Sequence, residues 1–205
     1  MWKNYTEAIM AFDLQNEPMA TKTAECKGSN PAGANWPCGR ATHMRSVLGS
    51  SNPIKIATGG VGGDISQGCN FMAAAVNCPA IDILSIHRYA GNEASNGGNE
   101  WGGSAQSWID QAKGKLVMVE EWGVRQYQGF ANIVTEYAAQ ANDLSGSGIP
   151  WLYWQIVPTK DCNYDPNNDG DDSFSIFQGS SVDIAGPIKK AASTTARQDW
   201  TGIVW

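Results

Sequence analysis

No apolar stretch in this 205-residue chain approaches the ~18 residues that a membrane-spanning helix needs, so the sequence carries no membrane span. Charge is sparse at 17%, and 20 Asp+Glu outweigh 14 Lys+Arg to give a net charge of -6 and a pI near 4.8. The absence of any basic run argues against a nucleic-acid partner or an anionic membrane surface. Only two histidines are present, His43 and His87, and none of the five cysteines forms a C-x-x-C pair. Zinc-ribbon and thioredoxin-like readings therefore fail, and no metal is expected. There is no G-x-S-x-G, so a Ser triad of the α/β-hydrolase type is unsupported. The opening residues, Met1-Trp2-Lys3-Asn4-Tyr5, have neither the basic region nor the apolar run of a signal peptide.

What is present suits a packed domain. The composition is 42% hydrophobic, which supplies a core, and the length fits one domain over residues 1–205. Nine Trp and 23 Gly are the unusual counts. Excess Trp suits a protein that stacks flat apolar faces on a ligand, and sugars are one such ligand. Cys26 and Cys38 flank a Gly/Pro/Asn-rich stretch, and Cys69 and Cys78 flank a short apolar one. We read each pair as a local disulfide, with free thiols as the alternative, which leaves Cys162 unpaired. Asn4-Tyr5-Thr6 is the one glycosylation sequon.

Five short apolar runs read as buried parallel strands: Ala8–Phe12, Ile54–Ala57, Ile81–Ile86, Leu116–Val119 and Trp151–Val157. Between them lie segments with helical spacing. One carries Phe130, Ile133, Val134, Tyr137, Ala138, Ala141 and Leu144, closed by Gly146. Another starts at Ser104 as N-cap and runs through Trp108, Ile109 and Ala112 to Gly114. Weaker helical patterns cover Arg40–Leu48, Cys69–Val76 and Ile184–Ala196. Gly59-Gly60-Val61-Gly62-Gly63 completes no phosphate-binding motif and reads as a strand-to-helix loop. Strand and helix alternate five times, which gives an α/β protein with a parallel sheet. An open doubly wound sheet and part of a (β/α)8 barrel both fit, and both put functional groups at the carboxyl ends of strands.

Those ends read Gln15-Asn16-Glu17-Pro18, Thr58-Gly59-Gly60, His87-Arg88-Tyr89, Glu120-Glu121-Trp122-Gly123 and Trp154-Gln155. Glu17 and Glu121 each follow an apolar strand directly. Two facing carboxyl groups, one protonated and one ionised, are what retaining glycoside hydrolysis needs. The segment Phe12-Asp13-Leu14-Gln15-Asn16-Glu17-Pro18 resembles the acid/base segment of clan A retaining glycosidases, glycoside hydrolase family 5 in particular. Val119-Glu120-Glu121-Trp122-Gly123 resembles the family's nucleophile segment, His87-x-Tyr89 its sixth-strand pair, and Trp154 its eighth-strand platform.

The resemblance implies a role for each residue. Glu17 is the general acid/base and Glu121 the nucleophile. Asn16 hydrogen-bonds the sugar 2-hydroxyl, Tyr89 hydrogen-bonds Glu121, His87 lines the cleft beside the acid/base, and Trp154 stacks under the sugar. Glu120 should point away from the site, because successive strand side chains alternate. Trp101, Trp108 and Trp122 are expected in the core, and His43 is left without a role. The expected fold is an incomplete (β/α)8 TIM barrel holding strands 4–8, with the first three units missing. The expected activity is cleavage of β-glycosidic bonds in a polysaccharide such as mannan or β-glucan. The alternative is a non-catalytic carbohydrate-binding remnant. No cofactor, nucleic acid or membrane is expected, a monomer is expected, and the parent enzyme is expected to be extracellular. Asp165-Pro166-Asn167-Asn168-Asp169-Gly170 copies the first half of a calcium loop, but Ile176 stands where the bidentate Glu belongs, so a solvated loop is expected, with calcium binding as the alternative.

Overall fold

The computed structural model describes residues 2–18, 35–62, 71–89, 100–124, 133–157, 174–177, 180–201 and 203. After a 3-10 turn at Trp2–Asn4, the elements run β1 (Ala11–Asp13), α1 (Trp36–Leu48), β2 (Lys55–Ala57), β3 (Val61–Gly62), α2 (Ala73–Val76), β4 (Ile83–His87), α3 (Glu100–Ala112), β5 (Leu116–Glu121), α4 (Ile133–Gly146), β6 (Ile156–Val157), β7 (Ile176–Phe177) and α5 (Ala185–Ser193). The alternation read from the sequence is thus an α/β fold with a parallel sheet. Among the described residues, no helix is long and apolar enough to cross a membrane.

The chain divides into two compact units. The first comprises residues 1–87, 106–120 and 198–205; the second comprises 88–105 and 121–197. The first holds the main sheet. Every residue of β4 is buried, which marks it as a strand covered on both faces. β2 pairs with it in parallel at Ala57↔Ile83, and β3 at Val61↔Ile86 and Gly62↔His87. Four steps from 57 to 61 oppose three from 83 to 86, so Thr58-Gly59-Gly60 accommodates one extra residue as a bulge. The glycine-rich segment is therefore partly strand rather than all loop. β1 pairs with β2, and β5 pairs with β4. Ala57, Ile83, Met118, Trp200 and Ile203 form one core cluster, with Met10, Ala11 and Leu116 against it. Gln198 returns to β5, accepting from the Val117 N–H (2.8 Å) and donating to the Lys115 carbonyl (2.7 Å).

A disulfide joins Cys38 in α1 to Cys78 just after α2, with Cα atoms 5.4 Å apart. This corrects both local pairings, Cys26–Cys38 and Cys69–Cys78; Cys26, Cys69 and Cys162 lie outside the described residues. Nearness in sequence suggested those pairings, whereas packing of two helix ends decides the real one. The bond closes a loop with a sequence separation of 40. On the chain-entropy account such a crosslink is worth about 4 kcal/mol. The Cys38→Ser/Cys78→Ser double variant is expected to lose about 2–5 kcal/mol in urea unfolding. A midpoint unchanged from wild type would contradict this.

The second unit is built around aromatic rings. Trp122, fully buried, stacks on Tyr137 (5.7 Å, 15°) and meets Trp101, Trp151 and Tyr153 edge-on. The core placement expected for Trp101, Trp108 and Trp122 holds, since all three are buried. α3 begins at Glu100, four residues before the expected cap Ser104. The reason is tertiary: the Asp143 carboxylate of α4 accepts the N–H groups of Trp101 (2.8 Å) and Gly102 (3.1 Å). The expected strand Trp151–Val157 is regular only at Ile156–Val157, which pairs with β7. Before it, the Trp154 N–H donates to the Trp122 carbonyl (2.8 Å).

Candidate active site

The chain passes from the first unit to the second at His87–Arg88 and again at Glu120–Glu121. Both passages lie at the carboxyl ends of parallel strands. The candidate residues therefore fall into two groups, one per unit.

In the first unit, β1 ends and the backbone turns so that Glu17 adopts φ 41°, a left-handed conformation uncommon for a residue with a side chain. Strain of this kind persists only where the surroundings over-determine it, and it clusters at functional positions. The Glu17 N–H donates to the Gly59 carbonyl (2.8 Å). The Glu17 carboxylate Oε1 lies 3.0 Å from Nδ1 of His87, whose ring is 3% exposed. That hydrogen bond holds the Glu17 carboxyl below the usual glutamate range, against an opposing desolvation and with help from the His87 charge. Asn16 sits exposed on the same turn.

The bulge explains why this corner is tight. A Cβ on Gly59 (φ 81°) would stand 1.8 Å from the Gln15 carbonyl oxygen, and one on Gly60 (φ 92°) would stand 2.2 Å from Cδ2 of the His87 ring. Both glycines also donate their N–H groups to the Ser85 hydroxyl (2.8 and 3.0 Å). Gly60→Ala should expel the His87 ring and cost about 2 kcal/mol or more, from the clash and the positive φ together. Thermal unfolding checks this, and a variant melting with wild type would refute the close packing.

Two further carboxylates belong to this group and were not selected from the sequence. Glu120 Oε2 lies 3.4 Å from Nε2 of His87. The expectation that Glu120 points away from the site is corrected. It does turn to different partners from Glu121, as strand alternation requires, but those partners are His87, Asp13 and Ser85. Burial raises its proton affinity, and hydrogen bonds from His87, Asp13 and Ser85 outweigh this and set it below the usual range. Asp13 is pushed up to about 7, first by desolvation, then by its hydrogen bond to Glu120 and that group's like charge.

A raised carboxyl binds its proton more tightly folded than unfolded. Stability from this source is therefore present below the unfolded value of 3.8 and is lost as pH rises to about 7. The stability of wild type relative to Asp13→Asn should fall between pH 4 and 7 and level off above. A difference that is flat across that range would show that Asp13 does not titrate there.

In the second unit, the Tyr89 hydroxyl donates to Glu121 Oε1. The Tyr89 ring packs on Phe174 at 4.5 Å. Tyr89 and Trp154 are 38% and 44% exposed, two aromatic faces open to solvent, whereas Trp101, Trp122 and Tyr137 of the same unit are buried. A Cβ on Gly123 would stand 2.5 Å from the Trp154 carbonyl oxygen and 3.1 Å from both Tyr89 and Phe174. Gly123 thus lets three segments close on one another beside Glu121. Phe174 had no sequence signal, being a lone ring after an Asp/Asn/Gly-rich stretch. The Asp165–Asp169 loop lies outside the described residues.

No curated protein matches the sequence significantly. The fold does have solved relatives. The endo-β-1,4-mannanase from Thermotoga petrophila superposes with a TM-score of 0.53 at 18% identity, covering 89% of this chain and 42% of that one. An endo-β-1,4-glucanase from Xanthomonas axonopodis pv. citri gives 0.54 at 14%, covering 93% and 62%. A family 17 β-1,3-glucanosyltransferase from Rhizomucor miehei gives 0.54 at 16%, covering 80% and 57%. The chain spans less than two thirds of the length of each. At these identities the likeness speaks for the fold alone. A family model described as Cellulase (glycosyl hydrolase family 5) matches residues 2–160, a span that takes in both Glu17 with its His87 partner and Glu121 with its Tyr89 partner. On that match, over more than three quarters of its length, the chain belongs to glycosyl hydrolase family 5.

Proposed function

We propose that this chain carries the reactive carboxylates of a retaining β-glycosidase acting on a polysaccharide such as mannan or β-glucan. The observation that carries the reading is a pair of strand-end glutamates, each with its own dedicated partner: Glu17 with His87, and Glu121 with Tyr89. In this reading the ionised Glu121 attacks the anomeric carbon and forms a glycosyl ester. Glu17 gives its proton to the departing glycosidic oxygen. Glu17 then takes a proton from water, whose oxygen displaces Glu121 from the sugar. Asn16 binds the 2-hydroxyl, and Trp154 offers its exposed face to the sugar.

His87 by itself favours ionised Glu17, whereas an acid needs the proton. The mechanism therefore requires the negative charge of the nucleophile to raise the proton affinity of Glu17 when substrate is bound. Our reading of the fold is that the five strand–helix units correspond to strands 4–8 of an eight-stranded barrel. The Cys38–Cys78 bond suits an extracellular setting.

The test is to incubate the 205-residue chain with mannan, β-glucan and xylan, count new reducing ends, and read the first-formed anomer by proton NMR. Release of the β-anomer first supports the reading. Release of the α-anomer overturns double displacement, and binding without turnover overturns the hydrolase reading in favour of a binding remnant.

A further inference from the structure

The cluster in the first unit contains more titratable groups than the two-carboxylate reaction uses. His87 has one ring nitrogen on Glu17 (3.0 Å) and the other facing Glu120 (3.4 Å), with its ring covered by Gly60. Oε2 of Glu120 is buried, and the ring nitrogen Nε2 is what faces it. Asp13 hydrogen-bonds Glu120 from β1, and Ser85 does so from β4.

We propose that Glu120 is a positioning residue for Glu17: through His87 it keeps one proton in the Glu17–His87 hydrogen bond, and Asp13 holds Glu120 ready to do so. The inference rests on the reading of Glu17 as acid/base, and it deepens that reading.

A neutral imidazole has one N–H and one bare nitrogen. A buried bare nitrogen facing a carboxylate oxygen leaves two acceptors opposed, with neither satisfied. Ionised Glu120 therefore requires the ring proton on Nε2. Nδ1 then meets Glu17 in one of two ways. It carries a second proton and Glu17 is ionised, or it is bare and accepts from a protonated Glu17. The two arrangements contain the same proton, displaced along one hydrogen bond. Removing that proton leaves bare nitrogen against carboxylate on one side of the ring, whichever tautomer remains. The assembly therefore resists deprotonation, and the acid keeps its proton to higher pH than an unassisted Glu17–His87 pair. The groups facing the ring within this unit are Glu17 and Asp13 from β1 and its following turn, Glu120 from β5, and the uncharged Gly60. In Glu120→Gln the amide can donate to Nε2. That releases the Nδ1–H tautomer to satisfy an ionised Glu17, and the shared proton leaves more easily. Asp13→Asn keeps a donor toward Glu120, whereas Asp13→Ala removes it.

The chain has only two histidines, and the other, His43, is exposed on α1 as an internal reference. Long-range proton–nitrogen NMR of the labelled 205-residue chain reads which ring nitrogen is protonated without needing activity. Wild type should hold the His87 proton on Nε2 from pH 5 to 8. Glu120→Gln should populate the Nδ1–H form and move the His87 titration midpoint down by about one pH unit. Should Glu120→Gln fail to fold, Asp13→Ala provides the second reading, with a smaller shift in the same direction, while Asp13→Asn stays with wild type. In hydrolysis, the alkaline limb of the kcat/KM profile should move down with the His87 midpoint. An unchanged tautomer and midpoint in Glu120→Gln, or in Asp13→Ala if that variant alone folds, overturns the proposal, as does an Asp13→Asn shift equal to that of Asp13→Ala. Full activity of Glu17→Gln would instead overturn the acid/base reading and leave the spectra to decide the proton's position.

Discussion

Glu121→Gln is expected to cut β-glycan turnover by roughly 10⁴-fold or more, because an amide cannot form the glycosyl ester on which the two-step route depends. The loss should fall on kcat and kcat/KM together, and substrate binding should survive. The mass of the protein during turnover gives an independent reading. A glycosyl adduct seen in wild type should be missing from Glu121→Gln. Tyr89→Phe provides the scale for a lesser change. It removes the hydroxyl that donates to Glu121 and leaves the ring on Phe174, so a loss of roughly tenfold is expected, the worth of one hydrogen bond to a charged group. Near-normal hydrolysis by Glu121→Gln sinks the assignment. If Glu120→Gln alone loses the adduct, the nucleophile has been placed one residue too late.

Glu17→Gln is expected to slow cleavage of an unactivated β-glycan by roughly 10²–10⁴-fold, the range of a general acid/base contribution. The size of the effect should depend on the leaving group. A sugar alkoxide is a poor leaving group and needs the proton, whereas an aryl oxide of low proton affinity departs without one. The first step on an activated aryl glycoside should therefore be nearly intact in Glu17→Gln, and the second step, which needs Glu17 as base, should be slow. A burst of the aryl product followed by slow release would be the kinetic signature. An equal loss on both substrates argues that Glu17 is structural, and the bond of its carboxylate to His87 would then be the explanation.

Much of the site was legible because its residues sit at strand ends, and strand ends are visible as the place where an apolar run stops. Asn16-Glu17-Pro18, His87-Arg88-Tyr89 and Glu121-Trp122-Gly123 each follow such a run. Asp13 and Glu120 were in plain view but carried no signal. Asp13 falls one residue past the expected strand Ala8–Phe12, and alternation turns Glu120 away from Glu121, although alternation states only that neighbours differ in direction, not what lies in each direction. Phe174, which backs Tyr89, comes from a segment with no periodicity at all.

By itself the sequence determined the alternation of strand and helix, the parallel sheet and the identity of the strand-end groups, because these depend on local runs of apolar side chains and the breakers that end them. Tertiary structure alone decided that Cys38 bonds Cys78, that Asp143 starts α3 four residues early, and that Glu120 turns onto His87. Each of these joins residues more than thirty positions apart, and such a contact is set by how whole elements pack, which no local pattern encodes.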